Sequence, residues 1–275
     1  MHLLQAASVP YCGAPPDPHS VFYRWNLDPI LIAILLGLLL AYFLDSWRRG
    51  LLTHRSQIFF CSGWLLSSLA LVSPLCPLSV SLFSARVTQH MLLVLLGAPL
   101  IAAGWERTGL TAQSRGALLV QKRHASRFFS RSATLSASIA FAAILWLWHT
   151  PFFYALTFSS TFTYWTMHST LFGSALYLWW CLLDPESGNA LKNTGAAALA
   201  SIQMSLLGAI ITFAPRAMYS PHFFTTHNWY LTALQDQQLG GVIMWVPGCV
   251  VFLLISTYLM SRVLAPSQNI NLSLN

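Results

Sequence analysis

Four residues in this chain carry side chains from which a metal site is built: His90, His149, His168 and Asp236. Imidazole is the commonest metal ligand and suits copper, zinc, iron and nickel. Thioether sulfurs stand close by in sequence at Met91, Met167 and Met244, and sulfur donors bias a site toward the soft ion Cu(I). His90–Met91 and Met167–His168 are consecutive pairs, so on a regular helix their side chains point ~100° apart. Met244 is the better-placed sulfur. Asp236 suits a ligand or a carboxylate that orients an imidazole; it also suits a helix N-terminus. Arg86 precedes His90 by four residues and shares its helix face. A buried guanidinium calls for a partner, and Asp236 is the natural carboxylate. His222 and His227 fall in a polar stretch with Arg216 and Met218 and read as loop residues. A lone histidine in an apolar helix is more often an interhelical hydrogen-bond donor than a ligand. Three at one depth shift the balance toward a metal or haem site.

The elements that hold these residues follow from composition. Of 275 residues, 56% are hydrophobic and 8% are charged, and mean hydropathy is +0.59. A soluble domain of this size needs about three times that charged fraction to cover its surface. The apolar stretches are long and continuous rather than short and alternating, which excludes a β-barrel. The expected fold is all-α, a polytopic membrane protein with a seven-helix bundle. The candidate spans are 29–47, 57–74, 78–104, 133–150, 162–183, 194–214 and 239–261. Residues 1–28 form an N-terminal segment, 29–262 the membrane domain with a basic loop at 105–131, and 263–275 a tail. Pro29, Pro74, Pro151, Pro185 and Pro215 fall at span ends; Pro99 and Pro247 lie inside spans and predict kinks.

Charge sets the expected direction. Arg48, Arg49, Arg55, Arg107, Arg115, Lys122, Arg123, Arg127, Arg131, Lys192 and Arg262 fall on one side of a seven-span chain, eleven of its fourteen Lys and Arg. The positive-inside rule places that side in the cytoplasm and the N terminus outside. His90, His149 and His168 then lie in the outer half of three spans, with Asp236 closing the last outer loop. His54 and His124 lie among basic residues on the cytoplasmic side. The loop 105–131 reads as a solvated basic segment, with Gly116–Phe129 able to form an amphipathic helix on the inner leaflet. Trp25, Trp148, Trp165 and Trp229 read as an outer aromatic belt, and the string Tyr177-Leu178-Trp179-Trp180 as an inner one. The pair Gly240-Gly241 reads as a close helix-packing point.

Cys12, Cys61, Cys76, Cys181 and Cys249 show no CxxC or CxC spacing and suggest neither a zinc ribbon nor a disulfide framework. Cys76 is at most an outer-face thiol. Residues 1–20 lack the basic start and apolar core of a cleaved signal peptide. There is no P-loop, no dinucleotide fingerprint and no internal repeat, so nucleic acid and nucleotides are not expected partners.

Several strings together resemble the membrane-integral CtaG family, caa3-type cytochrome c oxidase assembly proteins. They are Gln89-His90-Met91-Leu92-Leu93 with Ala98-Pro99-Leu100, then Trp146-Leu147-Trp148-His149-Thr150-Pro151, then Thr212-Phe213-Ala214-Pro215 with Met218-Tyr219. The most specific runs from Asp236-Gln237-Gln238-Leu239-Gly240-Gly241 through Met244 to Pro247-Gly248. The similarity extends over about residues 25–262, in order. It implies a bacterial inner-membrane assembly factor, not an enzyme, acting with oxidase subunit I and other assembly factors at the copper B centre. The matching polar positions are His90, His149, His168 and Asp236, expected to bind copper as Cu(I). Many relatives carry a second histidine where this chain has Arg86, which implies a smaller or altered site here. Two further readings use the same residues. A membrane-embedded zinc hydrolase would activate water with three His and one Asp, though no His pair at i, i+4 is present. A haem-bearing electron carrier would use two facing His as axial ligands. A cofactor-free scaffold that holds oxidase subunits is the third alternative.

Overall fold

The computed structural model describes residues 9–49, 53–105, 119–183 and 190–264, with the side chains of 49, 119–132, 262 and 263 left out. An apolar chain that cannot lean on water satisfies its backbone within each segment, and helices do this. The described residues accordingly form helices and connecting turns, with no strand among them. In chain order these are α1 (Pro29–Arg49), α2 (His54–Val72), α3 (Leu75–Ser81), α4 (Phe83–Met91), a π-helical stretch (Leu92–Gly97), and α5 (Ala98–Gly104). Then come α6 (Leu119–His149), α7 (Pro151–Ser159), α8 (Thr161–Leu182), α9 (Ala190–Phe213) and α10 (Ala233–Leu264).

Among the described residues, four continuous helical segments are long and apolar enough to cross a bilayer: Pro29–Arg48, Phe83–Gly104, Ala190–Phe213 and Ala233–Ser261. Two bent pairs raise the number to as many as six. They are His54–Val72 with Leu75–Ser81, bent by 48°, and Ala133–His149 with Pro151–Ser159, bent by 72°. At 22 residues α8 has the length of a span (~33 Å at 1.5 Å per residue). Its Thr, Ser, Tyr and Trp content keeps it out of the strongly apolar set.

Each of the seven expected segments meets a helix, although the boundaries shift by several residues, α10 for instance starting at Ala233, and the chain departs from the expectation in three further ways. The segment 78–104 is not continuous, because Leu82 is extended (φ −126°, ψ 131°) and separates α3 from α4. The segment 133–150 is the end of a longer helix that already runs from Leu119. Between it and α8 the chain adds α7, because extended Thr150 and Pro151 at the first helical turn restart the helix in a new direction. Residues 106–118 of the expected basic loop, and 265–275 of the tail, lie outside the described residues. So do the side chains of the proposed amphipathic helix, whose backbone from Leu119 belongs to α6. Of the prolines expected to kink spans, Pro99 opens α5 directly after the π-helical stretch, and Pro247 lies inside α10, which continues through it.

The core gathers the facing sides of α4, α6, α8, α9 and α10, with Phe83, Phe141, Met204, Met244 and Phe252 among its fully buried members. Trp179 belongs to this core rather than to a belt. It is buried and donates its indole N–H to the Val94 carbonyl at 2.8 Å, within the π-helical stretch. Helices α9 and α10 form the closest pair. A Cβ on Gly241 would meet the Gly208 carbonyl at 2.8 Å, and one on Gly240 would strike the Phe83 ring. The Gly-Gly pair thus does what its composition announced.

One expectation about cysteine is corrected. Cys12 and Cys76 form a disulfide across 64 residues, with a Cα–Cα separation of 5.5 Å. The spacing carries no disulfide pattern, because the pairing depends on residues 9–28 folding back over the ends of α2 and α8. Asn26 N–H donates to the Val72 carbonyl at 2.8 Å, and the Ser81 hydroxyl donates to the Pro16 carbonyl at 2.9 Å. Tyr11 donates its hydroxyl to Asp28.

Candidate functional site

Three helices bring the three span histidines together. His90 on α4, His149 at the end of α6 and His168 on α8 are 3%, 5% and 4% exposed. The His90 ring centroid lies 5.2 Å from that of His168 and 6.4 Å from that of His149, with near-perpendicular planes in both pairs. These are side chains 59 and 78 residues apart in sequence, meeting next to the end of the bundle that carries the disulfide.

Their hydrogen bonds define which nitrogens are available. His149 Nδ1 lies 2.7 Å from the Leu145 carbonyl and His168 Nδ1 lies 3.1 Å from the Tyr164 carbonyl, each one helical turn back. A carbonyl only accepts, so both Nδ1 atoms carry the proton, and each neutral ring keeps its lone pair on Nε2. His168 Nε2 has no hydrogen-bond partner, and neither nitrogen of His90 has one. Buried polar atoms are normally satisfied, and such exceptions ask for an explanation, an ion among them. Two imidazoles on one metal place their ring centroids ~5–6 Å apart, given metal–nitrogen bonds of ~2 Å. The observed separations are of this order. Among the described residues, however, no group of three or more His, Cys, Asp or Glu is arranged to hold a metal as it stands. The methionines lie in apolar surroundings: Met91 and Met244 in the main core, Met167 packed with Trp148 and Tyr164.

Asp236 has a different place. Its carboxylate accepts from Phe83 N–H at 2.6 Å, from Ser84 N–H at 3.1 Å, and from the Ser84 hydroxyl. Helix α4 begins at the Leu82 break with no side-chain cap of its own, and Asp236 caps it from α10. First-turn N–H groups have no partner inside a helix, and a carboxylate there also meets the favourable end of the helix dipole. From Ser84 to His90 the helix rises ~9 Å, which is why this carboxylate is engaged away from the imidazoles.

Arg86 is not paired with Asp236. It is 2% exposed; its Nη1 donates to Thr157 Oγ1 at 2.9 Å, and Nε has no partner. The guanidinium stacks over Phe158 at 4.2 Å, with Tyr154 and Tyr164 at 5.2 and 5.6 Å. Ring faces compensate the charge where no carboxylate does. Helix α7 supplies Tyr154, Thr157 and Phe158 to this cage, and no feature weighed in the sequence anticipated it. The signal was present in Thr150-Pro151, a helix start, with Tyr154 and Thr157 at i, i+3.

His222 lies in the connection between α9 and α10, as expected of a loop residue, but it is buried rather than solvated. It is 1% exposed, donates Nδ1–H to the Ser81 carbonyl at 3.2 Å, and accepts the Tyr154 hydroxyl on Nε2 at 2.6 Å. Both nitrogens are used. Burial, and then the charge of Arg86, push its pKa down to about 3. His227 is exposed. The histidines thus divide cleanly: His222 is satisfied, whereas His90 and His168 retain free nitrogens.

No curated protein and no solved structure matches the chain. A family model described as cytochrome c oxidase caa3 assembly factor (Caa3_CtaG) matches residues 37–265, which includes α4 through α10 and every residue of the imidazole cluster. With that stretch matched, the chain belongs to the cytochrome c oxidase caa3 assembly factor family.

Proposed function

We propose that this assembly factor holds copper, as Cu(I), between the imidazoles of His90, His149 and His168, and passes it to the copper B site of oxidase subunit I. The observation that carries this reading is His90: two unpartnered ring nitrogens, buried, with the lone-pair Nε2 of His168 beside them. Copper is cargo here. The rings fit it by type and spacing, and the absence of a ready three-ligand arrangement suits a carrier. Cu(I) accepts two nitrogen ligands, and a weak holding site loses the ion to an acceptor with a fuller set of imidazoles. The nearby Arg86 guanidinium further lowers the affinity for a cation. In this reading Asp236 and Arg86 are positioning residues that fix α4, not ligands. No zinc-hydrolase or haem reading gains support from a particular contact, and both remain outcomes of the test.

The proposed topology has seven crossings, with α8 completing the set and the N terminus outside. Three features support it. With seven crossings, eleven of the fourteen basic residues fall on one side, the asymmetry that the positive-inside rule expects. A disulfide joins the N-terminal segment to α3 at the opposite end, and disulfides persist in oxidising compartments. The imidazoles lie toward that same end. The localisation is then the bacterial cytoplasmic membrane.

The deciding experiment is elemental analysis of purified protein and of its His90→Ala, His149→Ala and His168→Ala variants after exposure to buffered Cu(I). Copper, zinc and iron are measured together, with a visible spectrum. Expected is copper in the parent and a loss of most of it in His90→Ala and His168→Ala. Unchanged copper in all three variants overturns the site. Zinc alone redirects the reading to hydrolysis, and iron with a Soret band to haem.

A further inference from the structure

The Cys12–Cys76 disulfide is surrounded by hydrogen-bond donors that a structural staple does not need. The Tyr164 hydroxyl lies 3.3 Å from Cys12 Sγ and 3.8 Å from Cys76 Sγ, and Asn26 Nδ2 donates to Cys76 Sγ at 3.4 Å. Disulfide sulfurs are weak acceptors and gain little from such donors. A thiolate gains much more, because a hydrogen bond to an ionised acceptor is roughly twice as strong. The two sulfurs also differ in access: Cys76 is fully buried, whereas Cys12 is only partly covered. Tyr164 connects them to the imidazoles, since its ring packs on His168 at 4.2 Å, and Tyr11, the neighbour of Cys12, stacks on Tyr164 at 4.8 Å.

We propose that Cys12 and Cys76 form a thiol–disulfide switch whose reduced form is a two-sulfur site for a soft monovalent metal ion, with the Tyr164 side chain between it and His168. The step balances with a protein or small-molecule dithiol as reductant. Its thiolate attacks the accessible Cys12 sulfur, the S–S bond breaks, and Cys76 leaves as a thiolate held by Asn26 and Tyr164. The second thiol of the reductant then resolves the mixed disulfide, and Cys12 is released. The pair gains two electrons and two protons, and the reductant leaves as a disulfide. Binding of Cu(I) by both sulfurs releases the thiol protons. The oxidised pair has no thiolate to offer, so metal uptake depends on the reductant. Onward passage to His168 rests on the copper reading above; the sulfur site itself does not.

The full chain, purified without reductant, is denatured and treated with a maleimide. Three additions are expected, for Cys61, Cys181 and Cys249, rising to five after dithiothreitol. Native protein, oxidised or reduced and then desalted, is next given Cu(I) with ascorbate under anaerobic conditions. Reduction is expected to add one copper per chain, with a sulfur-to-copper charge-transfer band in the near ultraviolet. The increment disappears in Cys12→Ser/Cys76→Ser and survives in His90→Ala/His149→Ala/His168→Ala. The latter result separates failure of the imidazole reading from failure of this one. Five maleimide additions without reductant, or equal copper in the oxidised and reduced parent, overturns the switch. The parent comparison decides even if the serine variant does not fold.

Discussion

Arg86 is the residue at which the site differs most from a set of free ligands. Its charge lies one turn from His90, held by Thr157 and three aromatic rings. Removing a positive charge at this range in a protein interior is worth on the order of 1–2 kcal/mol to a bound cation. Arg86→Met is therefore expected to tighten Cu(I) binding by about tenfold, read as a dissociation constant by competition with a chelator; equal or weaker binding contradicts it. His222 offers a second measurement. It faces the Tyr154 hydroxyl, the Ser81 carbonyl and, through space, Arg86. Its folded pKa of about 3 lies below the ordinary ~6.5. Between those values the unfolded chain takes the proton and the folded chain does not. Stability is therefore complete above ~6.5 and falls as pH drops toward 3, by up to ~1.4 kcal/mol per pH unit. Thermal unfolding at pH 7.5 and pH 5 is expected to show a smaller acid loss in His222→Gln than in the parent. Identical acid losses would refute the assignment.

At the scale of elements, the break between α3 and α4 is the critical construction. It ends one helix and begins another inside an apolar environment, so every freed backbone group needs a partner. Asp236 caps α4 from α10, and the Ser81 carbonyl accepts from both His222 and Thr225 Oγ1, the latter at 2.6 Å. The break is thus a junction of four elements rather than a local kink. Asp236→Ala leaves two buried N–H groups open and is expected to cost about 2–3 kcal/mol, with Asp236→Asn recovering part of it. Unfolding in detergent measures both. If Asp236 were a copper ligand alone, the alanine variant would lose metal without losing stability. A Gly240→Ala change brings a methyl into the Phe83 ring and is expected to disturb the same junction.

At the scale of the whole molecule, the imidazole cluster, the Arg86 cage and the disulfide all gather near one end of the bundle. In the proposed seven-crossing topology, eleven of the fourteen Lys and Arg fall toward the opposite side. The proposed orientation predicts that a cysteine at Tyr230, which is 94% exposed, reacts with a membrane-impermeant maleimide in intact cells. A cysteine at His54, exposed at the other end, reacts only after lysis. The reverse pattern inverts the topology.

The sequence by itself determined the apolar helical class of the protein and singled out the three histidines whose rings the fold brings together. Apolar length forces helices in lipid, and titratable groups inside such helices are too costly to be accidental. It also announced a close helix-packing point at Gly240-Gly241, but not that Gly240 faces Phe83 on α4 while Gly241 faces Gly208 on α9. It did not determine the partners of the polar groups. Asp236 and Arg86 looked like an ion pair because both are charged and lie at similar depth. The fold instead sends one to a helix end 152 residues away and the other to the rings of α7. The Cys12–Cys76 link was equally illegible, since it requires the N-terminal segment to fold back across the bundle. Hydrogen bonds and disulfides depend on direction and on distances of a few ångströms. Periodicity assigns a residue to a face and a depth, and only the packing of helices against one another decides which groups meet there.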